Sequence, residues 1–281
     1  MAKSIKRNLI KVLLAVLVVA TVTFVPAKYV PINSLKMKEA NALAPFKMLL
    51  AAAGVSTGDE TSYVFDGTGD DIQIADSSDF TPGSSNYTIE GRFYITDVDA
   101  QPDYYICGQR ADAENRWSLR ISQGGAFTFR YEDANVVRVA ATTNGGQIVD
   151  ATWMAFALVK TGNDYTMYVD GISNLASGSP GSGDLNDIAA DFFVGTNGDG
   201  IKWNGNIDEF RISNTNRYTG NYTVATSEFE DDANTLFLFH GAEDVVSGSK
   251  GTDGWTALDV TGDHTMTGNG DVDEDAIIFA L

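Results

Sequence analysis

The chain has 281 residues and a formal net charge of −19 at neutral pH, and this charge is divided unevenly along its length. Residues 1–50 contain eight Lys or Arg and one acidic residue and carry +7, which leaves −26 for the remaining 231 residues. An acidic body of this kind repels phosphate backbones, which argues against nucleic-acid binding by it. The single cysteine, Cys107, excludes an intrachain disulfide, so burial of apolar surface must stabilise the fold.

The N-terminal segment, residues 1–44, predicts a hydrophobic helix that meets a membrane. Four basic residues between Lys3 and Lys11 precede an uncharged, largely apolar run from Val12 to Ala27. A helix of that length measures about 24 Å and a hydrocarbon core about 30 Å, so length alone does not separate a retained anchor from a secretory signal peptide. Val25-Pro26-Ala27 favours cleavage, whereas the basic flank that follows favours retention. Both interpretations stay open.

Residues 45–61 predict a connector. A second apolar stretch, Ala42 to Val55, is interrupted by Pro45 and Lys47 and is too short to span a bilayer. We expect a short helix that lies on a membrane or packs against a partner. The sequence APFKMLLAAAG within this stretch resembles the opening of virion proteins of marine phages, and this resemblance implies a structural role in a virion.

From Ser62 onward the hydrophobic pattern repeats every two residues and is interrupted by Gly, Asn and Asp, which is typical of strands and turns. In one predicted strand, Tyr87, Ile89, Phe93 and Ile95 share an apolar face, and the alternate polar face is expected to contact solvent. The near-regular spacing of such strands predicts an all-β fold, a two-sheet antiparallel sandwich.

Two further segments carry specific predictions. Residues 117–131 predict a hairpin that turns at Gly124-Gly125. Its opposed apolar residues are Trp117, Leu119, Ile121, Phe127, Phe129 and Tyr131. Residues 152–160 are apolar on both faces, which predicts a central strand.

Five stretches occur in the order typical of laminin-G-like domains: FDGTGDDIQI, YTIEGRFYI, TWMAFALVKTGNDYTMYVDG, FFVGTNGDGIKWNGNIDEFRIS and RYTGNYT. Together they resemble the concanavalin A-like lectin and glucanase superfamily, of the kind seen in phage virion and bacterial surface proteins. The resemblance implies a jelly roll over residues 62–281, with turn-forming glycines at Gly67 and Gly171. The C-terminal tail resembles the sequence that usually precedes the family's first strand. We therefore expect Ala276 to Phe279 to close the same sandwich or to pair with a neighbouring subunit.

The residues argue against catalysis. Glucanases of this superfamily need two carboxylates on one strand face, and no Glu-x-Asp-x-Glu strand is present. The nearest acidic stretches, 228–232 and 271–275, lie in Gly/Asn/Asp-rich connections, where solvated charge is the ordinary explanation. No Ser or Cys motif accompanies His240 or His264, the two histidines, and His240 is expected to be structural. We therefore predict that the protein is not an enzyme.

A structural calcium ion is implied by the resemblance, because laminin-G-like folds often hold one in the loops at one rim. The candidate ligands are Asp66, Asp70, Asp71 and Asp208. Calcium takes six to eight oxygen ligands, so residues from separate loops would have to converge. The alternative is that these aspartates are solvated or cap turns.

Carbohydrate binding requires aromatic rings beside amide and carboxylate groups, since a sugar has an apolar face and many hydroxyls. The loop TNGDGIKWNGN offers this mixture, and its glycines predict that Trp203 lies at an exposed loop tip. The predicted sugar-binding residues are Trp203, Asn197, Asp199, Asn204, Asn206, Tyr104, Tyr105 and Tyr218. Packing in the core is the alternative for each aromatic residue.

These observations predict a non-enzymatic, surface-displayed virion component that attaches to a glycan, a cell-surface receptor or a partner protein. The predicted partners also include other structural proteins of the same assembly, a membrane through the N-terminal segment, and further copies of the chain in a homo-oligomer. One alternative is a secreted or envelope-anchored bacterial adhesion protein of lectin type. The second is a glucanase-like glycoside hydrolase that uses Glu228 or Glu230.

Overall fold

The computed structural model describes residues 61–81, 83–176, 183–241 and 245–275, and of residues 245, 246 and 275 the backbone alone. All of them belong to the compact unit 59–281. The predicted N-terminal helix, nearly all of the connector and the predicted strand Ala276 to Phe279 lie outside the described residues. Within the described part of the chain, no helix has the length and apolarity that a membrane span requires.

The described residues form strands and one short 3-10 turn, Ser78–Phe80. In chain order the strands are β1 (Ser62–Asp66), β2 (Asp71–Ile74), β3 (Tyr87–Ile95), β4 (Asp103–Arg110), β5 (Arg116–Ser122), β6 (Ala126–Asp133), β7 (Val136–Thr142), β8 (Trp153–Thr161), β9 (Asp164–Val169), β10 (Ile172–Ser173), β11 (Phe192–Val194), β12 (Asn204–Ser213), β13 (Thr235–Phe239), β14 (Val245–Ser247), β15 (Trp255–Leu258), β16 (Thr265–Asn269) and β17 (Asp273–Asp275).

The strands form two antiparallel sheets, which confirms the predicted all-β sandwich. An eight-stranded sheet has the order β10-β9-β8-β3-β12-β1-β17, and β13 pairs with the second half of β12, beside β1. A nine-stranded sheet has the order β14-β15-β16-β2-β11-β4-β5-β6-β7. One large apolar core contains side chains from both sheets, as expected when two sheets bury their inner faces against each other.

The alternation predicted for β3 is confirmed on its apolar side, where Tyr87, Ile89, Phe93 and Ile95 are at most 1% exposed. The expected contact of the other side with solvent is wrong, because Thr88, Glu90 and Arg92 are also buried, and Tyr94 alone is partly exposed. The cause is a connection between β12 and β13, residues 214–234, that crosses this outer face. We call this segment the strap.

Other predictions are borne out by the strand pairing. Trp117, Leu119 and Ile121 lie opposite Tyr131, Phe129 and Phe127 in the β5–β6 hairpin. The predicted central strand, β8, lies between β9 and β3 and is almost entirely buried. Its Phe156 and Leu158 pack in the main core, while Ala157 and Val159 pack with Tyr168 beneath two strap tyrosines.

The C-terminal part of the described chain closes the sandwich. β17 pairs with β1, so Tyr63 lies opposite Glu274 and Val64 opposite Asp273. β17 ends at Asp275, immediately before Ala276 to Phe279, the segment predicted to form the closing strand. Gly67 and Gly171 have φ angles of 84° and 74°, as expected of the turns that they form.

Candidate functional site

Trp203 lies in the core, and the prediction that it sits at an exposed loop tip is wrong. Its side chain is 0% exposed and makes edge contacts with Phe93 and Tyr104, at ring-centroid distances of 5.6 and 6.1 Å. Tyr104 is 1% exposed and is also a core residue. Trp203 precedes β12 with the same parity as the buried Ile207, so period-two alternation turns its indole inward. Neither ring is available to stack on a sugar.

The loop after β11, residues 195–202, folds back over the outer face of the nine-stranded sheet. Gly198 lies against the ring of Phe193, and a Cβ at Gly108 would come within 2.9 Å of the Asn197 side chain. Asn197 is buried, and its Oδ1 accepts a hydrogen bond from the backbone N–H of Asp199 at 3.1 Å. Asn197 therefore shapes the loop, and Asp199 is the more accessible polar group.

Asp199 belongs to a polar cluster with residues of β4 and β5. Its carboxylate lies 3.3 Å from Arg110, and Arg120 lies 3.0 Å from Asp103. The Arg120 guanidinium is 5.9 Å from the centroid of the Tyr105 ring. Burial raises the pKa of Tyr105, and the negative charge of Asp199 adds to the increase. Two predicted sugar-binding residues, Tyr105 and Asp199, thus meet here, together with two arginines that the sequence analysis missed.

The remaining predicted sugar-binding residues lie elsewhere. Asn204 and Asn206 are on β12, where Asn204 Oδ1 accepts from the hydroxyl of Thr96 and Asn206 Nδ2 donates to the hydroxyl of Ser62. Tyr218 lies on the strap, and its hydroxyl donates to a carboxylate oxygen of Glu90 on β3 at 2.6 Å. The predicted set is therefore divided between two sheets, and Tyr218 is held by a buried carboxylate.

Three carboxylates from two loop segments converge at one edge of the sandwich. One oxygen each of Asp66, Asp70 and Asp271 lies within 4.8 Å of the other two. The Asp70 carboxylate accepts the backbone N–H groups of Asp66 at 2.8 Å and of Asp271 at 2.9 Å. Burial raises the pKa of Asp70 to about 6, although these backbone N–H groups oppose the increase, and the charge of Asp66 adds to it.

Asp271 was missed as a ligand, and two predicted ligands do not join the cluster. Asp71 forms an ion pair with Lys202 and accepts from Asn269 Nδ2 at 2.7 Å. Asp208 lies four residues along β12 from Asn204, the residue that pairs with Asp66. The predicted grouping of Asp71 and Asp208 with the other two aspartates is therefore wrong.

The donor set of Asp66, Asp70 and Asp271 fits calcium. Carboxylate oxygens are hard ligands of the type that calcium prefers, and main-chain carbonyls or water complete its six to eight contacts. Among the described residues, no Lys, Arg or His forms an ion pair with these three carboxylates. A bound calcium ion would compensate their mutual repulsion and tie the β1–β2 turn to the β16–β17 turn.

This edge of the sandwich is one continuous surface, which we call the rim. β16, β2, β11, β4 and β5 are neighbours in the nine-stranded sheet. The end of β16 pairs with the start of β2, the end of β11 with the start of β2, and the start of β4 with the end of β5. The rim therefore carries the carboxylate cluster and the Asp103–Arg120 ion pair, whereas Asp199 lies on the loop that folds back from the end of β11 toward Arg110, at the other end of β4.

The opposite outer face, on the eight-stranded sheet, is closed by the strap. Arg92 donates to the carbonyl oxygens of Ala225 and Ser227 at 2.8 and 2.7 Å. Arg211 donates to the carbonyl of Glu230 at 3.0 Å and to the buried carboxylate of Glu90 at 2.8 and 3.0 Å. These charged groups fix the path of the strap.

Neither acidic stretch considered for catalysis forms a pair across a cleft. The side chains of Glu228 and Glu230 are exposed on the strap. Asp271 belongs to the carboxylate cluster, and residues 273–275 form the edge strand β17. Both histidines contact carboxylates, His240 with Glu209 at 2.7 Å and His264 with Asp79 at 3.2 Å.

Two stacked antiparallel sheets of this kind define the jelly-roll class of β-sandwich proteins. The chain belongs to the concanavalin A-like lectin/glucanases superfamily, whose laminin-G-type family model matches residues 66–219, more than half of its length. The predicted resemblance is thereby confirmed.

Solved structures with this fold include a Bacteroides ovatus protein described as carbohydrate-binding, with 15% identity, a TM-score of 0.47, and coverage of 79% of this chain and 61% of that one. Domains LG4-5 of the mouse laminin α1 chain have 16% identity, a TM-score of 0.40, and coverage of 60% and 47%. Domain 4 of an extracellular arabinanase of Geobacillus stearothermophilus has 16% identity, a TM-score of 0.43, and coverage of 55% and 71%. The chain thus spans less than two thirds of the first two proteins. At these identities the similarity is one of fold. No curated protein matches the chain by sequence.

Proposed function

We propose that this protein is a non-catalytic, lectin-like domain that binds glycans at the rim in a calcium-dependent manner. One observation carries the proposal: the converged carboxylates of Asp66, Asp70 and Asp271 share the rim with the Asp103–Arg120 ion pair. Membership of a lectin and glucanase superfamily supports it.

The chemistry of the polar cluster suits sugar hydroxyls. Arg110 and Arg120 present planar guanidinium donors, and Asp103 and Asp199 present acceptors. The side chains of these four residues are between 13% and 26% exposed, so they are fixed by ion pairs yet reachable from solvent. Charged groups held in this way form stronger hydrogen bonds than neutral ones.

A binding experiment with matched variants tests the rim. A glycan array probed in calcium identifies ligands, and calorimetry then compares Arg120→Ala and Asp199→Asn with the native chain. Loss of a hydrogen bond to a charged group costs about 1.5–3 kcal/mol, so each change should weaken binding by about tenfold or more. Arg138→Ala is the control, since Arg138 lies on the edge strand β7 and its side chain is 45% exposed. Equal affinity of all variants would contradict the proposal.

The wider role that we propose is attachment or assembly at the surface of a virion. In this role residues 1–44 contact a membrane, and the domain meets a glycan or receptor, other structural proteins and further copies of itself. The resemblance of APFKMLLAAAG to the opening of phage virion proteins supports this role. Mass spectrometry of purified particles tests it, and absence of the chain from particles would favour the secreted or envelope-anchored bacterial protein.

Absence of catalysis is also part of the proposal. The glucanase alternative predicts that the native chain releases reducing sugar from β-glucans and that Glu228→Gln or Glu230→Gln abolishes this release. We expect the native chain and both variants to release none. Release that depends on either residue would contradict a purely binding role.

A further inference from the structure

Two arginines share one carboxylate on the outer face of the nine-stranded sheet. Arg116 on β5 lies opposite Glu132 on β6, and its Nε is 2.6 Å from one carboxylate oxygen. Arg130, two residues before Glu132, donates from Nε to the other carboxylate oxygen at 3.0 Å. We call these three residues the arginine triad. Because one carboxylate balances only one of the two guanidinium groups, the triad has a net charge of +1.

Alternation along β5 and β6 directs the arginine triad away from the core. Trp117 and Tyr131, which are chain neighbours of the triad, are 0% and 1% exposed and point inward, so the triad points outward. The side chains of Arg116 and Arg130 are 31% and 35% exposed, whereas that of Glu132 is 10% exposed. The guanidinium groups therefore cover the carboxylate, and solvent meets the positive charge.

The arginine triad is ionised and held in one geometry. Burial raises the pKa of Glu132, but the hydrogen bonds from Arg116 and Arg130 outweigh burial and hold this pKa below its ordinary value. Among the described residues, the guanidinium of Arg116 makes its hydrogen bond to Glu132 through Nε. Its two terminal nitrogens are therefore free to donate to a ligand.

The arginine triad continues a line of positive charge that starts at the rim. Arg120 lies at the rim beside Asp103, and Arg116 lies four residues before it on β5. Between these two positions, Ser118 lies opposite Arg130. Strand residues two apart are about 7 Å apart on one face, so the three arginine positions follow one another in steps of about that length. Such a line suits a chain with repeated negative charges better than a single ion.

This line reverses the charge balance of the rest of the body. After residue 50 the sequence contains 11 Lys and Arg and 37 Asp and Glu. The outward positions of β5 and β6 instead carry three arginines and one glutamate. The outer face of these two strands is thus a positive surface on an acidic protein.

We propose that Arg120 and the arginine triad bind an acidic polysaccharide, a chain of uronic acid sugars that runs from the rim along β5. This inference rests on the proposed function, because it names the class of glycan that the rim takes and extends the path of that glycan onto the sheet. A planar guanidinium donates two parallel hydrogen bonds to a carboxylate, which is the group that each uronic acid sugar presents.

The charge of the whole body selects carboxylated over densely sulfated chains. Repulsion between a ligand and an acidic protein grows with the charge of the ligand. A chain with one carboxylate on each sugar meets the arginines at a lower electrostatic cost than a chain with several sulfates on each disaccharide.

Matched ligands test the class of glycan on the native chain. Calorimetry in calcium compares a galacturonate hexamer and a mannuronate hexamer with the methyl esters of both and with a heparin hexasaccharide. We expect at least one free uronate to bind, and its methyl ester, which lacks the charge, to bind about tenfold more weakly or less. Equal affinity for acid and ester, or tighter binding of the heparin hexasaccharide, would overturn the inference.

Variants of the arginine triad locate the binding surface. Arg116→Gln and Arg130→Gln should each weaken binding of the uronate by about tenfold and leave binding of its methyl ester unchanged. Arg138→Gln is the matched control, because it removes the same charge from β7, where Asp133 lies 3.5 Å from Arg138. We expect this variant to bind like the native chain. Unchanged affinity of both Arg116→Gln and Arg130→Gln would overturn the inference.

The inference and the proposed function fail in different ways. Calcium-dependent binding of neutral glycans, without binding of either uronate, would overturn the inference and leave the proposed function intact. Absence of binding to every glycan, neutral or acidic, would contradict the proposed function itself. The comparison of acid and ester uses the native chain, so it decides the inference even where a variant does not fold.

Discussion

Replacing Asp208 by Asn should change how the stability of this protein depends on pH. Asp208 is 5% exposed on β12, and its Oδ1 accepts the backbone N–H of Glu209 at 2.8 Å. Burial, followed by the charge of Glu209, raises the pKa of Asp208 to about 8, and the charge of Arg92 only partly opposes this. The folded chain therefore holds a proton on Asp208 that the unfolded chain releases near its ordinary pKa of about 3.9.

The sign and the magnitude follow from linkage. The stability that comes from protonated Asp208 is complete below about pH 4 and is lost progressively as pH rises to about 8, because the folded state binds one proton more over this interval. One proton corresponds to about 1.4 kcal/mol per pH unit. Between pH 5 and 7 the native chain should lose about 2.7 kcal/mol through this group, and Asp208→Asn should lose none of it.

Urea unfolding followed by tryptophan fluorescence at several pH values between 5 and 8 measures the effect. The free energy of unfolding of Asp208→Asn, relative to the native chain, should rise steadily with pH over this range. Asp231→Asn is the control, because the Asp231 side chain is exposed on the strap. A constant difference between Asp208→Asn and the native chain from pH 5 to 7 would refute the reasoning.

Three further predictions follow from the packing and the charges. Trp203→Ala should lower the free energy of unfolding, measured with urea, by about 3–5 kcal/mol. A loss of glycan affinity at unchanged stability would contradict the placement of Trp203 in the core. Arg211→Met should lower the free energy of unfolding by about 3–5 kcal/mol, because it removes the guanidinium that makes two hydrogen bonds to the buried Glu90 carboxylate, and limited proteolysis should then cleave the strap faster. Arg211→Met combined with Glu90→Gln should recover part of the loss, and no recovery would contradict the pairing. The affinity for calcium, measured by calorimetry, should fall as pH drops through about 6, because Asp70 takes up a proton there. Equal affinity at pH 5 and pH 7 would contradict the role of Asp70 as a calcium ligand.

Strand faces could be predicted from the sequence because the period of two is local. The apolar sides of β3, β5 and β6 were all identified correctly. The same rule, applied to Trp203, Gly205 and Ile207, places the indole inward and Asn204 outward. The loop glycines were misleading in that case, because glycine marks unusual backbone conformation and not exposure.

The carboxylate cluster could be predicted only in part. Asp66 and Asp70 are close in sequence, but Asp271 joins them through the pairing of β16 with β2, where Asn269 lies opposite Asp71. The hydrophobic pattern does not specify which strands pair over such a distance.

The polar face of β3 is a further example of what the hydrophobic pattern does not predict. Alternation correctly separated Glu90 and Arg92 from the core, but whether this outer face is wet depends on the strap. The strap is held there by hydrogen bonds from buried arginines to its carbonyl oxygens. Such contacts leave no periodic signal in the sequence.

Glycan binding by the rim in the presence and absence of calcium is the most direct test of the proposed function. The native chain and Asp70→Asn are applied to a glycan array, each in calcium and in EDTA. If the rim binds glycans through calcium, the native chain should bind a set of glycans in calcium but not in EDTA. Asp70→Asn should bind none of these glycans in either condition. Equal binding of every glycan with and without calcium, unaffected by Asp70→Asn, would contradict it.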